Sequence, residues 1–243
     1  MATFSKSVVL ARQVVLGEVR EISARSPRGG LIFLAASVAS ILLRAQGVDV
    51  RSGNVFYSDG FGSMRQITFD GGDSQASLSP DGKTIVFVRS TGVAAGFDEP
   101  RALNPVRNEL WIADVRGTNA PMAVFKGIIA NGDLKYATFF APRLAPGGRY
   151  AYFLIGWAAV EDAVVRVDLM TGKAKVITTG GDLRVISDGK YAGNLVVQKR
   201  KSNADGTSYS FYLVSSDGKE LRLVGETEKK AEAFLDNASR VPK

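Results

Sequence analysis

The chain has 243 residues, 45% of them hydrophobic and 23% charged, enough for one large all-β domain or two small ones. It holds no cysteine and no histidine, which removes disulfides, thiolate nucleophiles, Cys-based metal sites, the commonest metal ligand and the commonest general base. The formal net charge is +7, but residues 1–47 carry six basic and two acidic residues, leaving 25 basic against 22 acidic elsewhere. That near-balance with interspersed signs excludes the dense basic stripe of a nucleic-acid binder.

The first element in chain order is an apolar run of 13 residues, Leu31 to Leu43 (LIFLAASVASILL). A transmembrane helix needs about 20 such residues. The run fits the h-region of a secretory signal peptide: Arg25 and Arg28 precede it, and the small residues of Ala45-Gln46-Gly47 follow. Residues 1–47 are therefore expected to be a helical leader, a signal peptide or signal anchor. The protein is then periplasmic or secreted, with membrane contact only through an uncleaved 31–43. A buried core helix, paired with an amphipathic helix over 8–22, is the alternative reading of the same run.

From about Gly53 the pattern changes to short β-rich runs separated by Gly, Asp, Asn and Pro turns. Four hairpins are predicted. Their turns are Ser58-Asp59-Gly60, Arg116-Gly117-Thr118-Asn119, Met170-Thr171-Gly172-Lys173 and Ser216-Asp217-Gly218-Lys219. Before three of them stands another turn with a strand on either side: Ser79-Pro80-Asp81-Gly82-Lys83, then Ala145-Pro146-Gly147-Gly148-Arg149, then Ile186-Ser187-Asp188-Gly189-Lys190.

Each unit thus reads as four antiparallel strands in about 40 residues, the content of a propeller blade. Asp188 lies 41 residues after Gly147, one blade, whereas Gly147 lies 66 after Asp81. The surplus falls in Ser90 to Asn108, an inserted loop between second and third strands. The expected domain, 48–225, comprises a two-stranded half-blade (54–68) and three blades (75–125, 141–178 and 183–224). Residues 226–243 are expected to be a helical tail, with Ala231, Phe234 and Leu235 on one face.

Ser79-Pro80-Asp81-Gly82-Lys83 with Ile85-Val86-Phe87, then Leu110-Trp111-Ile112-Ala113-Asp114, resembles the TolB-type, WD-like β-propeller repeat. Gln66-Ile67-Thr68 and Val176-Ile177-Thr178 match its closing strand. The resemblance covers roughly 54–225 and implies an all-β, partial propeller of four-stranded blades. It also implies an exported, non-enzymatic protein-interaction module whose partner is a peptidoglycan-associated lipoprotein or a Tol-Pal component. TolB-type propellers close with six or so blades, and three and a half are counted here. The array is therefore short and open, or closed through another chain, or a remnant, and open blade edges invite self-association.

The candidate partner-binding residues are Phe97, Asp98, Glu99, Arg101 and Arg107 of the inserted loop, with Trp157 at a strand end. They mix an aromatic with both charge signs on a rigid scaffold. Trp111, in a third strand, is assigned to the core. Asp81, Asp188 and Asp217 precede Gly and read as turn residues. No catalytic, cofactor or metal residues are assigned. There is no nucleophile elbow and no phosphate-binding loop, and Asn203 to Thr207 lacks the ligand set of a calcium loop. The competing function is a carbohydrate- or small-ligand-binding propeller, or a carboxylate-based hydrolase or lyase using Glu161 and Asp162.

Overall fold

A computed structural model describes residues 46–91, 107–126, 139–158, 161–203 and 206–240. Residues 1–45 of the expected leader lie outside the described residues, and its last residue, Gly47, is instead the first residue of the first strand. The described chain is built from antiparallel strands that pair with their sequence neighbours. The first sheet has three: β1 (Gly47–Arg51), β2 (Asn54–Ser58) and β3 (Met64–Gln66). The second has β4 (Asp73–Leu78), β5 (Thr84–Thr91), β6 (Arg107–Asp114) and β7 (Met122–Lys126). The third has β8 (Phe140–Leu144), β9 (Tyr150–Ala158), β10 (Glu161–Asp168) and β11 (Ala174–Thr179). The fourth has β12 (Gly181–Val185), β13 (Leu195–Asn203), β14 (Gly206–Val214) and β15 (Glu220–Gly225). A single helix, α1 (Glu228–Arg240), follows.

The first sheet departs from the two-stranded expectation. Val48 and Val50 alternate with Asp49 and Arg51, and a two-residue turn at Ser52 (φ 48) and Gly53 (φ 72) returns the chain into β2. That is the geometry of the tight hairpins whose twist matches the strands. The alternation is only five residues long and abuts the apolar run of the leader, which hides it.

The sheets stack face to face, and each interface has its own core. Val55, Ile85, Phe87 and Ala113 join the first sheet to the second. Val86, Val88, Leu110, Phe125, Phe153 and Val165 join the second to the third, with the Phe139 and Phe153 rings 4.5 Å apart. Tyr152, Leu154, Val164, Leu195 and Val197 join the third to the fourth. The inner strands of the four-stranded sheets are apolar on both faces, because each of those sheets is covered twice. Ile85 and Phe87 look one way, Val86 and Val88 the other.

The two ends of the stack are finished differently. On the far face of the fourth sheet, Ile186, Val196, Phe211 and Leu213 are covered by Ala231 and Ala238 of α1. On the first sheet, Val48, Val50, Val55 and Tyr57 face inward. The two-residue alternation leaves Asp49, Arg51, Phe56 and Ser58 outward, with the Arg51 guanidinium 5.7 Å from the Phe56 ring. Where the inner sheets carry Ile, Phe and Val, this face is largely polar. Terminal repeats of stacked arrays need such an outer surface.

In each four-stranded sheet the first strand lies at the inner side of the arc, and β4 rests against both β1 and β8. β4, β8 and β12 share one irregularity. Ser74 to Ser77 opposes only Val88 to Val86, Phe140 to Arg143 opposes Leu154 to Tyr152, and Gly181 to Arg184 opposes Gln198 to Val196. Each is a one-residue bulge. Each holds a non-glycine residue in the left-handed region: Gln75 (φ 51), Ala141 (φ 51) and Asp182 (φ 43).

Candidate functional site

The antiparallel order sorts the connections onto two ends. One end carries the Ser79–Lys83 type turns and the β2–β3, β6–β7, β10–β11 and β14–β15 turns. The other carries the β1–β2, β5–β6, β9–β10 and β13–β14 connections and every passage from sheet to sheet. The long connections, 92–106 and 127–139, both leave from and return to this second end.

The described base of that loop end is a charged and aromatic cluster in the second sheet. Asp73, at the start of β4, is buried. It receives Arg89 of β5 in a bidentate pair, Nε to Oδ1 at 2.6 Å and Nη2 to Oδ2 at 3.0 Å. Arg89 Nη1 also reaches Asp70 at 2.5 Å. The guanidinium lies 4.2 Å from the Trp111 ring centroid and 5.5 Å from that of Phe87. The Trp111 indole N–H donates to Glu109 Oε2 at 2.9 Å, and Glu109 Oε1 sits 3.7 Å from Lys126 Nζ. The Asp73 carboxylate raises the pKa of Arg89 against the opposing effect of burial. The cluster is a rigid, saturated platform, with each charge held by a neighbour. Trp111, expected in the core, sits at its margin and serves as a lid on Arg89.

Arg107 and Trp157 lie on this same end. Arg107, expected in the loop, is the first residue of β6 and pairs with Thr91. Trp157 is in β9, beside the register shift where Glu161 opposes Ala158 and Asp162 opposes Gly156. The side chains of both, and the whole of Phe97, Asp98, Glu99 and Arg101, lie outside the described residues. Sequence reasoning missed Asp70, Asp73 and Arg89. The signal available was an aspartate opening β4 and an arginine near the end of the apolar β5, its partner strand.

Glu161 and Asp162 open β10 at the loop end. Burial, with a smaller contribution from Glu161, holds the Asp162 carboxyl above the usual range. Among the described residues, no group of three or more acidic side chains could hold a metal ion.

The aspartates at the opposite end are committed to their turns. Ser79 Oγ donates to Asp81 Oδ1 at 2.6 Å, Lys83 N–H donates to the same oxygen at 3.2 Å, and Thr84 N–H donates to Ser79 Oγ at 2.9 Å. The Ser79 hydroxyl and the Lys83 N–H hold the Asp81 carboxyl below its usual value. Ser215, Asp217 and Lys219 repeat the device between β14 and β15. A cleft of about 320 Å³ opens between the second- and third-sheet turns, lined by Ser79, Asp81, Ile112, Leu144, Gly147 and Leu169. Its polar groups are spent on the turns themselves.

No family model and no curated protein matches the chain. Solved structures do. TolB from Acinetobacter baumannii is 16% identical with a TM-score of 0.43, over 75% of this chain and 47% of that one. The fold is a partial, open β-propeller of antiparallel sheets. The propeller domain of the Trilobed protease from Pyrococcus furiosus, described as having an open velcro topology, is 16% identical with a TM-score of 0.44, over 72% of this chain and 49% of that one. The tricorn protease is 16% identical with a TM-score of 0.49, over 73% of this chain and 15% of that one. The chain spans less than half the length of each. Among the described residues the propeller is open, with three four-stranded blades and one of three strands.

Proposed function

We propose that the chain is a non-enzymatic protein-interaction module that meets its partner at the loop end of the arc. The observation that carries this reading is that the strands bounding the connections 92–106 and 127–139 all open onto the end that carries the Asp70–Arg89–Asp73–Trp111 platform. Loops on a rigid scaffold are where binding surfaces are built. The residue pattern over 25–47 supports a periplasmic or secreted location for the module. An envelope lipoprotein or Tol-Pal component is the partner class.

The test is to replace 92–106 by a two-residue Asn-Gly turn and compare capture of a defined envelope protein by the two chains. Loss of capture with unchanged melting supports the loop end. Equal capture by both chains, or binding to a glycan array with no protein captured, overturns it. Glycan binding would favour the second reading, a carbohydrate-binding propeller or carboxylate-based lyase. What speaks for that reading is the position of Glu161 and the raised Asp162 at the same end.

A further inference from the structure

Among the described residues, the first sheet is the only one with three strands. The β2–β3 hairpin, with its closing Gln66-Ile67-Thr68, corresponds to the last two strands of the other sheets. β1 therefore holds the second position, and among the described residues no strand holds the innermost one.

The edge that would receive it can be read from the hydrogen bonds. Val55 N–H donates to Thr68 Oγ1 at 2.9 Å, and Val55 O accepts from Ile67 N–H at 2.8 Å. Both polar groups of Val55 thus look toward β3. Val50 is its partner across the ladder, so the Val50 N–H and C=O look away from β2, toward the open edge. Val48, two residues earlier, presents the same edge. The Val50 N–H is not left bare: Asp49 Oδ1 accepts from it at 2.9 Å, while Asp49 Oδ2 accepts from Arg51 Nε at 2.8 Å. A charged side chain folded over an edge donor guards the edge against indiscriminate pairing.

We propose that this edge of β1 accepts one extended strand from a partner protein, which displaces the Asp49 carboxylate from the Val50 N–H and completes the first sheet. A strand fits better than a further sheet, because on the outward face Phe56 is flanked by Asp49 and Arg51 and the surface is largely polar. The chain's own helix α1 is engaged on the fourth sheet. The side of the occupant that looks toward the second sheet meets Val48, Val50, Ala76 and Leu78 and must be apolar. Its other side lies beside Asp49 and Arg51. In antiparallel register it therefore carries an acidic residue opposite Arg51 and, two residues later, a basic residue opposite Asp49. The proposal rests on the reading of the chain as an interaction module, but it concerns β1 and not the loop end.

The probe is an acetylated, amidated peptide, Val-Glu-Val-Lys-Val, added to the full chain and followed by amide hydrogen exchange. Exchange at Val48 and Val50 is expected to slow at least tenfold at saturation, and the charge-swapped Val-Lys-Val-Glu-Val to bind at least tenfold more weakly. Val50→Pro removes the edge donor without removing a β1–β2 bond, so it keeps its melting temperature and loses the response. No protection at saturating peptide, equal binding of both peptides, or a dimer in which these amides are already protected would each overturn the proposal. The loop-end connections stay intact throughout, so this test and the replacement of 92–106 fail independently.

Discussion

The Gln75 side chain accepts a hydrogen bond from the Ala141 backbone N–H at 2.6 Å, and both residues are the left-handed members of their bulges. Ser77 Oγ donates to the Pro142 carbonyl at 2.8 Å beside them. The bulges are therefore what ties the second sheet to the third along the inner side of the arc. Ala141→Gly should raise stability by up to about 1 kcal/mol, since glycine enters the left-handed region at no steric cost. Gln75→Ala should lower it by about 1 kcal/mol through the lost bond. Urea unfolding of the two variants measures both, and the opposite order would show that the bulges carry no strain.

Asp73→Asn removes the charge that Arg89 meets in a nearly closed site, where the aspartate side chain is 0% and the arginine 12% exposed. Breaking such a pair from one side leaves a buried cation, and a loss of about 3 kcal/mol is expected. Arg89→Lys should not rescue the site in the wild-type background, because an ammonium cannot make the bidentate pair or lie flat on Trp111. Trp fluorescence should report the displacement of Trp111 from the Arg89 guanidinium.

The Tyr152 hydroxyl is fully buried and makes no hydrogen bond. Burial pushes its pKa up to about 12 from 10.0, with Arg166 opposing the shift. Below pH 10 the hydroxyl is neutral in both states and its contribution is fully present. As pH rises from 10 toward 12 the unfolded chain ionises first, and stability is lost. Tyr152→Phe should remove that part of the alkaline loss, about 1.4 kcal/mol at pH 11. It should also gain up to about 1 kcal/mol at neutral pH, because no bond is given up. Unfolding midpoints at pH 8 and pH 11 for the two chains test both statements.

Truncation after Gly225 would uncover Ile186, Val196, Phe211 and Leu213. The shortened chain is expected to associate in sedimentation runs at concentrations where the full chain does not. Phe234→Ala is the milder version. It removes the ring that packs 5.7 Å from Tyr191 and 4.9 Å from the Arg222 guanidinium, and should cost about 2–3 kcal/mol for a half-buried aromatic.

The blades were legible in the sequence because their turns are chemically explicit. Ser79-Pro80-Asp81-Gly82 needs a serine hydroxyl, an aspartate carboxylate and a glycine at positive φ, and all three are visible in the letters. The helix α1 was legible for a similar reason, its spacing of Ala231, Phe234 and Leu235. β1 was not legible, because five alternating residues beside an apolar run carry no signal of their own and acquire a face only against the second sheet. The Asp73–Arg89 pair was hidden too. Sixteen residues separate the partners, and only the bulge at Gln75 sets the register that joins them. The loop residues Phe97 to Arg101 were singled out by composition alone, which says nothing of geometry.

Among the described residues the four sheets form an open arc. A closed propeller holds every sheet between two others, so losing one blade opens the whole circle. Here three sheet-to-sheet cores and one helix-to-sheet core stand in series, and each depends only on the members on either side. Such a molecule behaves as a short linear array whose stability is a sum over neighbours. Its first sheet, with one neighbour and three strands, is the member that opens first. The unfolding of this protein should thus run as a sequence from one end, with the first sheet exchanging its amides ahead of the middle of the array.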